Sequence, residues 1–267
     1  GNVAIDVARI LAKDAGELAG SDLSSEVVAW LAGQPIETIH LVGRRSAADA
    51  KFNDHELAEL GTLQRAQPVV ADPESLAGDS TVVNTLRGFA GNARTAPVSI
   101  NFHFNLTPTA FLGDGKLRAV QFRSSGEEIV EIPAQLAVTC IGYETRACCA
   151  AEPANGVFAN DNGKVEDGLY VVGWAKRGPS GTIPTNRVEA QQVAQRMAQE
   201  VNDGQRRGGE GLRLLLGQRG VSWVDYAGWK RIDAAEVARA SAERCREKFS
   251  TTAQMLELVR AGELRPA

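Results

Sequence analysis

Little in this sequence points to a membrane, a metal or a disulfide framework. Its longest apolar runs are short, Leu136–Ile141 among them, so no membrane span is expected. The four cysteines, Cys140, Cys148, Cys149 and Cys245, form no C-x-x-C and show no metal-ligand spacing. Cys140 sits in an apolar run and reads as a small buried hydrophobe, and the adjacent Cys148 and Cys149 cannot bridge each other without strain. That usage fits a reduced, cytoplasmic protein. No basic face stands out either. The net charge is −4 and the Lys and Arg residues are scattered, so nucleic acid is not an expected partner. The three histidines are not paired at metal spacing. His40 reads as a core or edge residue of a strand and His55 as the exposed start of a helix. His103, between Phe102 and Phe104, is expected to point to solvent. Ser180 lacks a nucleophile-elbow context. The chain opens on Gly1-Asn2-Val3 with no Met, signal peptide or lead-in strand, and is expected to be a piece of a longer protein.

What is present is ordinary globular material. A length of 267 residues, with 43% hydrophobic and 23% charged, allows one large domain or two smaller ones. Val3, Val7, Ile10 and Leu11 recur at helical spacing, and a second helix is expected over Ser24–Leu31. Ile36–Val42 reads as a strand ended by Gly43-Arg44-Arg45, and Asn53 as the N-cap of a helix reaching Leu60. Val98–Asn105 and Leu117–Arg123 alternate like antiparallel strands about a Gly113-Asp114-Gly115 turn. Gln135–Ile141 is expected to be an apolar strand, and Leu169–Val172 a brief one. Thr185–Val201 reads as a helix with Val188, Val193, Met197 and Val201 inward. A helical tail runs to Leu264, with Trp223 and Trp229 as packing anchors. Strands alternating with helices, with Gly at strand ends, imply an α/β architecture.

Gly1-Asn2-Val3-Ala4 has the form of the tail of a G-x-G-x-x-A fingerprint. There the glycine lets backbone approach a pyrophosphate, and the next amides face it from a helix N-terminus. Alone, G-x-x-A before a helix is more often simple helix packing. Arg44 and Arg45 add weight. They stand just past the second strand, where an NAD-specific site would carry an acid for the ribose 2′-hydroxyl. Two guanidinium groups suit a 2′-phosphate instead. The alternative is a solvated surface pair.

Further on, a strand ending in Gly173 leads into Trp174, and a loop with Gly178 and Gly181 precedes a helix. Such a loop permits close backbone approach to a flat ligand. The alternative is an ordinary strand–helix connection with a packed Trp.

Three segments together resemble one family. Gly1–Leu11 (GNVAIDVARIL), Val42–Arg45 with Phe52–Leu60, and Tyr170–Asn186 (YVVGWAKRGPSGTIPTN) are similar to signatures of adrenodoxin-reductase-type ferredoxin–NADP reductases. The resemblance implies two dinucleotide-binding domains, with residues 1–142 a Rossmann-like NADP-binding domain and 143–267 the C-terminal part of an FAD-binding domain. It implies that Gly1, Asn2, Val3, Arg44, Arg45 and Glu56 hold NADP. Trp174 would lie at the flavin region, and Gly181, Thr182 and Ile183 would present amides to FAD. Glu59 and Asp6 match acids near the reacting rings, where they can orient groups without transferring a proton. The implied activity passes electrons between NADPH, FAD and a ferredoxin or similar iron–sulfur protein. Lys176, Arg177, Arg206, Arg207 and Arg244 are candidates for a basic docking face. A glutamate-synthase-like flavoprotein subunit and a non-catalytic dinucleotide-binding module remain alternatives. The absence of C-x-x-C disfavours thioredoxin reductase.

Overall fold

The computed structural model describes residues 1–70, 72–91, 95–147, 151–201 and 208–263. They fall into two compact units, one of Gly1–Cys140 with Trp223–Ala267 and one of Ile141–Ser222.

The first unit is built on a three-stranded parallel sheet in the order β1 (Thr38–Val42), β3 (Val98–His103), β2 (Ala66–Val70). Strict alternation along β3 buries Val98, Ile100 and Phe102 on one face and leaves Ser99, Asn101 and His103 half-buried on the other. Helices cover the apolar face. α1 (Asn2–Ala12) contributes Ile5, Ala8 and Ala12, α3 (Asp54–Glu59) contributes Leu57, and α4 (Thr81–Ala90) contributes Val83 and Leu86. The α1 residues lie three and four apart, which is the spacing that puts them on one helical stripe. α2 (Ser25–Ala32) starts at Ser24, whose side chain accepts from the Val27 amide.

Val98–His103 is therefore not half of an antiparallel pair, as its alternation suggested. A half-buried parallel strand under helices on one face alternates in the same way. The antiparallel hairpin is β4 (Leu106–Leu112) with β5 (Ala119–Ser124), extended by β6 (Ile129–Pro133). The turn at Gly113–Gly115 is where the sequence places it. Gly113 is obligatory there: its φ is +154°, and a Cβ would fall 1.9 Å from the Lys116 carbonyl oxygen. Gln135–Ile141 forms no strand, and Leu136, Val138 and Ile141 are exposed. Apolar composition does not supply the neighbouring backbone that a ladder needs.

The tail packs on the first unit. α8 (Tyr226–Arg239) meets α9 (Thr252–Glu263) through Ile232 and Val259. Glu247 accepts from the Ser25 amide and hydroxyl at the head of α2, and Lys248 pairs with Asp22 at 2.6 Å. Trp223 and Trp229 are half exposed rather than packing anchors. The aromatic rings of Trp229 and Tyr226 stack on each other instead.

In the second unit, β7 (Lys164–Glu166) and β8 (Leu169–Tyr170) form a short hairpin. It leads into α5 (Trp174–Arg177), α6 (Ile183–Glu200) and α7 (Gly208–Gln218). Of the four residues expected to face inward here, only Val193 is buried; Val188 and Met197 on α6 and Val201 at its C-cap are exposed. Val193 sits against Gly163, where a Cβ would lie 2.5 Å from Val193 Cγ2. Among the described residues no helix is long and apolar enough to cross a membrane.

Candidate functional site

The site residues of the first unit collect at one end of the parallel sheet. Asn2 Oδ1, in the first turn of α1, accepts from the Asn53 amide at 2.7 Å. Asn53 is itself the N-cap of α3, its Oδ1 accepting from the amides of His55 and Glu56. Two helix N-termini are thus tied to one point. Each presents amides with no intrahelical partner and the positive end of a dipole. Gly1 packs beside the Lys51 carbonyl, where even a Cβ would come within 3.5 Å. Val3 is exposed on the first turn of α1. Asn53→Ala is expected to lower stability by about 1 kcal/mol, a shift in urea midpoint that would be absent for His55→Ala beside it.

Arg44 and Arg45 leave the carboxyl end of β1 with exposed side chains. Their backbone is stitched to the start of the next element. Gly43 donates to the His103 carbonyl (2.9 Å), Asn105 donates to the Arg45 carbonyl (3.1 Å), and Leu106 donates to the Gly43 carbonyl (3.1 Å). Asn105 takes φ +58° to make this junction. An Asn tolerates that conformation better than most residues with a Cβ.

Glu56, Glu59 and Asp6 have different surroundings. Glu56 Oε2 is buried and has no hydrogen-bond partner. Glu59 and Asp6 converge on Arg9, with Arg9 donating to Glu59 and, at 2.6 Å, to Asp6. Partial burial works against the Arg9 charge, but the hydrogen bond and attraction of Glu59, with those of Asp6, raise its pKa overall. Arg9 bridges α1 and α3, 50 positions apart. Sequence reading did not single it out, because an Arg between apolar helix positions has no local signal of its partner.

His103 is half-buried and has a partner, where the sequence suggested an open, solvent-facing side chain. Its Nε2 lies 3.0 Å from His40 Nδ1, on the sheet face opposite the apolar core. Burial pushes both imidazoles below their ordinary pKa, and His40 lowers His103 further. Among the described residues no cluster of three or more His, Cys, Asp or Glu could hold a metal.

In the second unit, Gly173 (φ +59°) caps α5, and the Trp174 ring lies tilted against that of Tyr143, centroids 5.3 Å apart. Gly181, Thr182 and Ile183 are exposed just ahead of α6, with Ile183 at 85%. The Thr182 amide donates to Thr185 Oγ1 at 3.4 Å. Arg177 holds this loop. It donates to the Ser180 carbonyl, to Ser180 Oγ (3.0 Å), to Asn186 Oδ1 and to Glu189 Oε2 (3.2 Å). Glu189 also pairs with Lys176 at 3.1 Å and accepts from the Gly173 amide. Although burial opposes its ionisation, Lys176, the Gly173 amide and Arg177 keep Glu189 below the usual carboxylate range.

This arrangement removes three residues from the expected docking face. Lys176 and Arg177 are consumed by Glu189, and Arg244 by Glu247 and Ser25. Arg206 and Arg207 lie outside the described residues, as do Cys148 and Cys149.

No protein-family model matches the chain. Individual proteins do. A probable ferredoxin/ferredoxin–NADP reductase of Mycobacterium tuberculosis is 33% identical over 298 residues, spanning all of this chain and 51% of the relative. Cindoxin reductase of Citrobacter braakii is 34% identical, over 97% of this chain and 59% of its own length. Human mitochondrial NADPH:adrenodoxin oxidoreductase is 30% identical, over 97% and 62%. The chain therefore spans about half the length of the first of these relatives. Among solved structures, Mycobacterium tuberculosis FprA in complex with NADPH superposes with a TM-score of 0.86 at 29% identity, covering 97% of this chain and 66% of that one.

Proposed function

We propose that this chain, a homologue of the ferredoxin–NADP and adrenodoxin reductases, is part of a flavoprotein that passes electrons between NADPH, FAD and a ferredoxin-type iron–sulfur protein. In this reading residues 1–142 form the NADP-binding domain and 143–267 belong to the FAD-binding domain. The free thiols of Cys140 and Cys245 support a reducing compartment, which in this reading is the cytoplasm.

One observation carries the reading. Two exposed guanidinium groups and no carboxylate follow β1, at the sheet end where the N-termini of α1 and α3 are tied together. Arg44 and Arg45 would grip the 2′-phosphate in bidentate fashion. The amides of Asn2 and Val3, following Gly1, would face the pyrophosphate. The residues fit a dinucleotide in a further respect. The orphaned Glu56 Oε2 is a buried acceptor in want of a donor, and a ribose hydroxyl would supply one.

Gly181, Thr182 and Ile183 fit a flat ring edge, since their backbone is exposed and φ at Gly181 is +81°. Trp174 would cover that region from α5. Bound FAD would supply the step from paired to single electrons. Asp6 and Glu59 would orient the nicotinamide end rather than move a proton, because each already accepts from Arg9.

The test is optical. The purified protein is expected to carry flavin absorbance that bleaches on addition of NADPH and returns on addition of an oxidised ferredoxin. A yellow protein indifferent to NADPH would overturn the reading. A colourless one that is still retained by immobilised NADP would instead identify a binding module.

A further inference from the structure

The His40–His103 contact has no part in the proposed chemistry, yet it sits directly under the arginine turn. Among the described residues β1 is attached to the parallel sheet through β3 alone, because the strand order is β1-β3-β2. The register ends at Val42 opposite His103. The next three residues, Gly43, Arg44 and Arg45, carry the guanidinium groups outward. Where those groups point depends on how firmly the end of β1 is fixed to the end of β3.

Two kinds of bond fix it. One is the backbone set already described, in which the His103 carbonyl takes the Gly43 amide. The other is the imidazole bridge. His40 and His103 lie diagonally across the β1–β3 seam on the same face, with ring nitrogens 3.0 Å apart and ring centroids 5.1 Å apart. One nitrogen donates and the other accepts, so the bridge needs the accepting ring neutral and is lost only when both rings are protonated. Their surroundings favour neutral rings. The charged residues of β1 and its flanks are Glu37 before it and Arg44 and Arg45 after it, and β3 carries none. Burial lowers the pKa of His40, and burial together with His40 lowers that of His103. The two residues are 63 positions apart, so the bridge exists only in the folded sheet.

We propose that the His40–His103 bridge is a specificity-determining positioning pair, which holds the exit of β1 so that Arg44 and Arg45 can close on a 2′-phosphate. The inference rests on the assignment of those arginines to the phosphate. It adds that their reach is set by a side-chain rivet on the far face of the sheet. Neither histidine touches the ligand, so losing the bridge should blunt discrimination and leave the rest of the nucleotide bound.

Calorimetric titration of the whole chain with 2′,5′-ADP and with 5′-ADP tests this. The unsubstituted protein should prefer 2′,5′-ADP. His103→Leu should weaken 2′,5′-ADP about five- to tenfold, the scale of one lost hydrogen bond, and leave 5′-ADP nearly unchanged. His103→Gln, which can still donate to or accept from His40, should restore most of the loss. Equal weakening for both ligands, or an undiminished preference in His103→Leu, would overturn the proposal. If His103→Leu does not fold, proton resonances of the His40 and His103 rings in the unsubstituted protein decide it. They should move on adding 2′,5′-ADP and not on adding 5′-ADP, and no movement with either would also overturn it. An unsubstituted protein that binds both ligands equally would remove the phosphate assignment itself, an outcome distinct from failure of the bridge.

Discussion

Replacing Arg44 and Arg45 together by glutamine is expected to lower the affinity for NADPH about a hundredfold and to leave NADH almost unaffected. Each guanidinium would make a charge-assisted contact with the 2′-phosphate, worth about 1.5–3 kcal/mol when well formed. Both side chains are exposed, which brings the pair toward the lower end, about 3 kcal/mol in total or two powers of ten in affinity. NADH has no phosphate at that position, so its binding does not draw on either arginine. Titrating both nucleotides against the unsubstituted and the doubly substituted protein measures the difference directly. Raising the salt concentration should narrow the NADPH preference of the unsubstituted protein, because exposed charges are screened. It should have no such effect on the variant. An NADPH preference that survives the double substitution would mean that the two arginines are merely a solvated pair.

The second large effect concerns stability. Phe102→Ala is expected to destabilise the first unit by about 3–5 kcal/mol. Phe102 is 1% exposed and stands at the centre of the sheet's apolar face. Its ring meets those of Phe52, Phe89 and Phe104 at centroid distances of 6.0, 6.2 and 6.4 Å. These partners come from the loop before α3, from α4 and from the exit of β3, so one truncation opens a cavity bordered by three elements. The neighbours cannot all collapse into it without disturbing the sheet. Urea unfolding followed by far-ultraviolet circular dichroism would record the loss. Truncating the exposed Phe111 on β4 offers a control and should cost under about 1 kcal/mol. A loss of that size for Phe102 as well would contradict the packing described.

The contrast between these residues shows where sequence reading succeeds. Phe102 could be assigned to a strand from its alternation with Ser99, Asn101 and His103. The partner strands could not be assigned, because parallel neighbours are joined through long crossovers and leave no turn signal between them. Of the hairpin, the turn at Gly113–Gly115 and the β5 arm were legible, because the turn needs glycine and β5 alternates; the β4 arm was not, and Val98–Asn105 was put in its place. His103 was misplaced by the same limit. Alternation says which side of a strand a residue occupies, but not whether that side meets water or another ring. Lys176, Arg177 and Arg244 looked available as positive charges, but Glu189 on α6 takes up the first two and Glu247, three positions along a turn, takes up the third.

By itself the sequence determined the helix that begins at Asn2, the glycine and arginine pair that end β1, the cap at Asn53 and the glycine-bearing loop from Gly173 to Gly181. Each is encoded in neighbouring residues, through helical period, side-chain capping or permitted φ. Only the tertiary structure decided that β3 lies between β1 and β2, that Arg9 bridges Asp6 and Glu59, that Glu56 is left with an unpaired buried oxygen and that His40 meets His103. The physical reason is that the decisive contacts, Arg9 with Glu59 and His40 with His103, join residues dozens of positions apart. They are selected by burial and hydrogen-bond satisfaction in the assembled sheet, which no local pattern records.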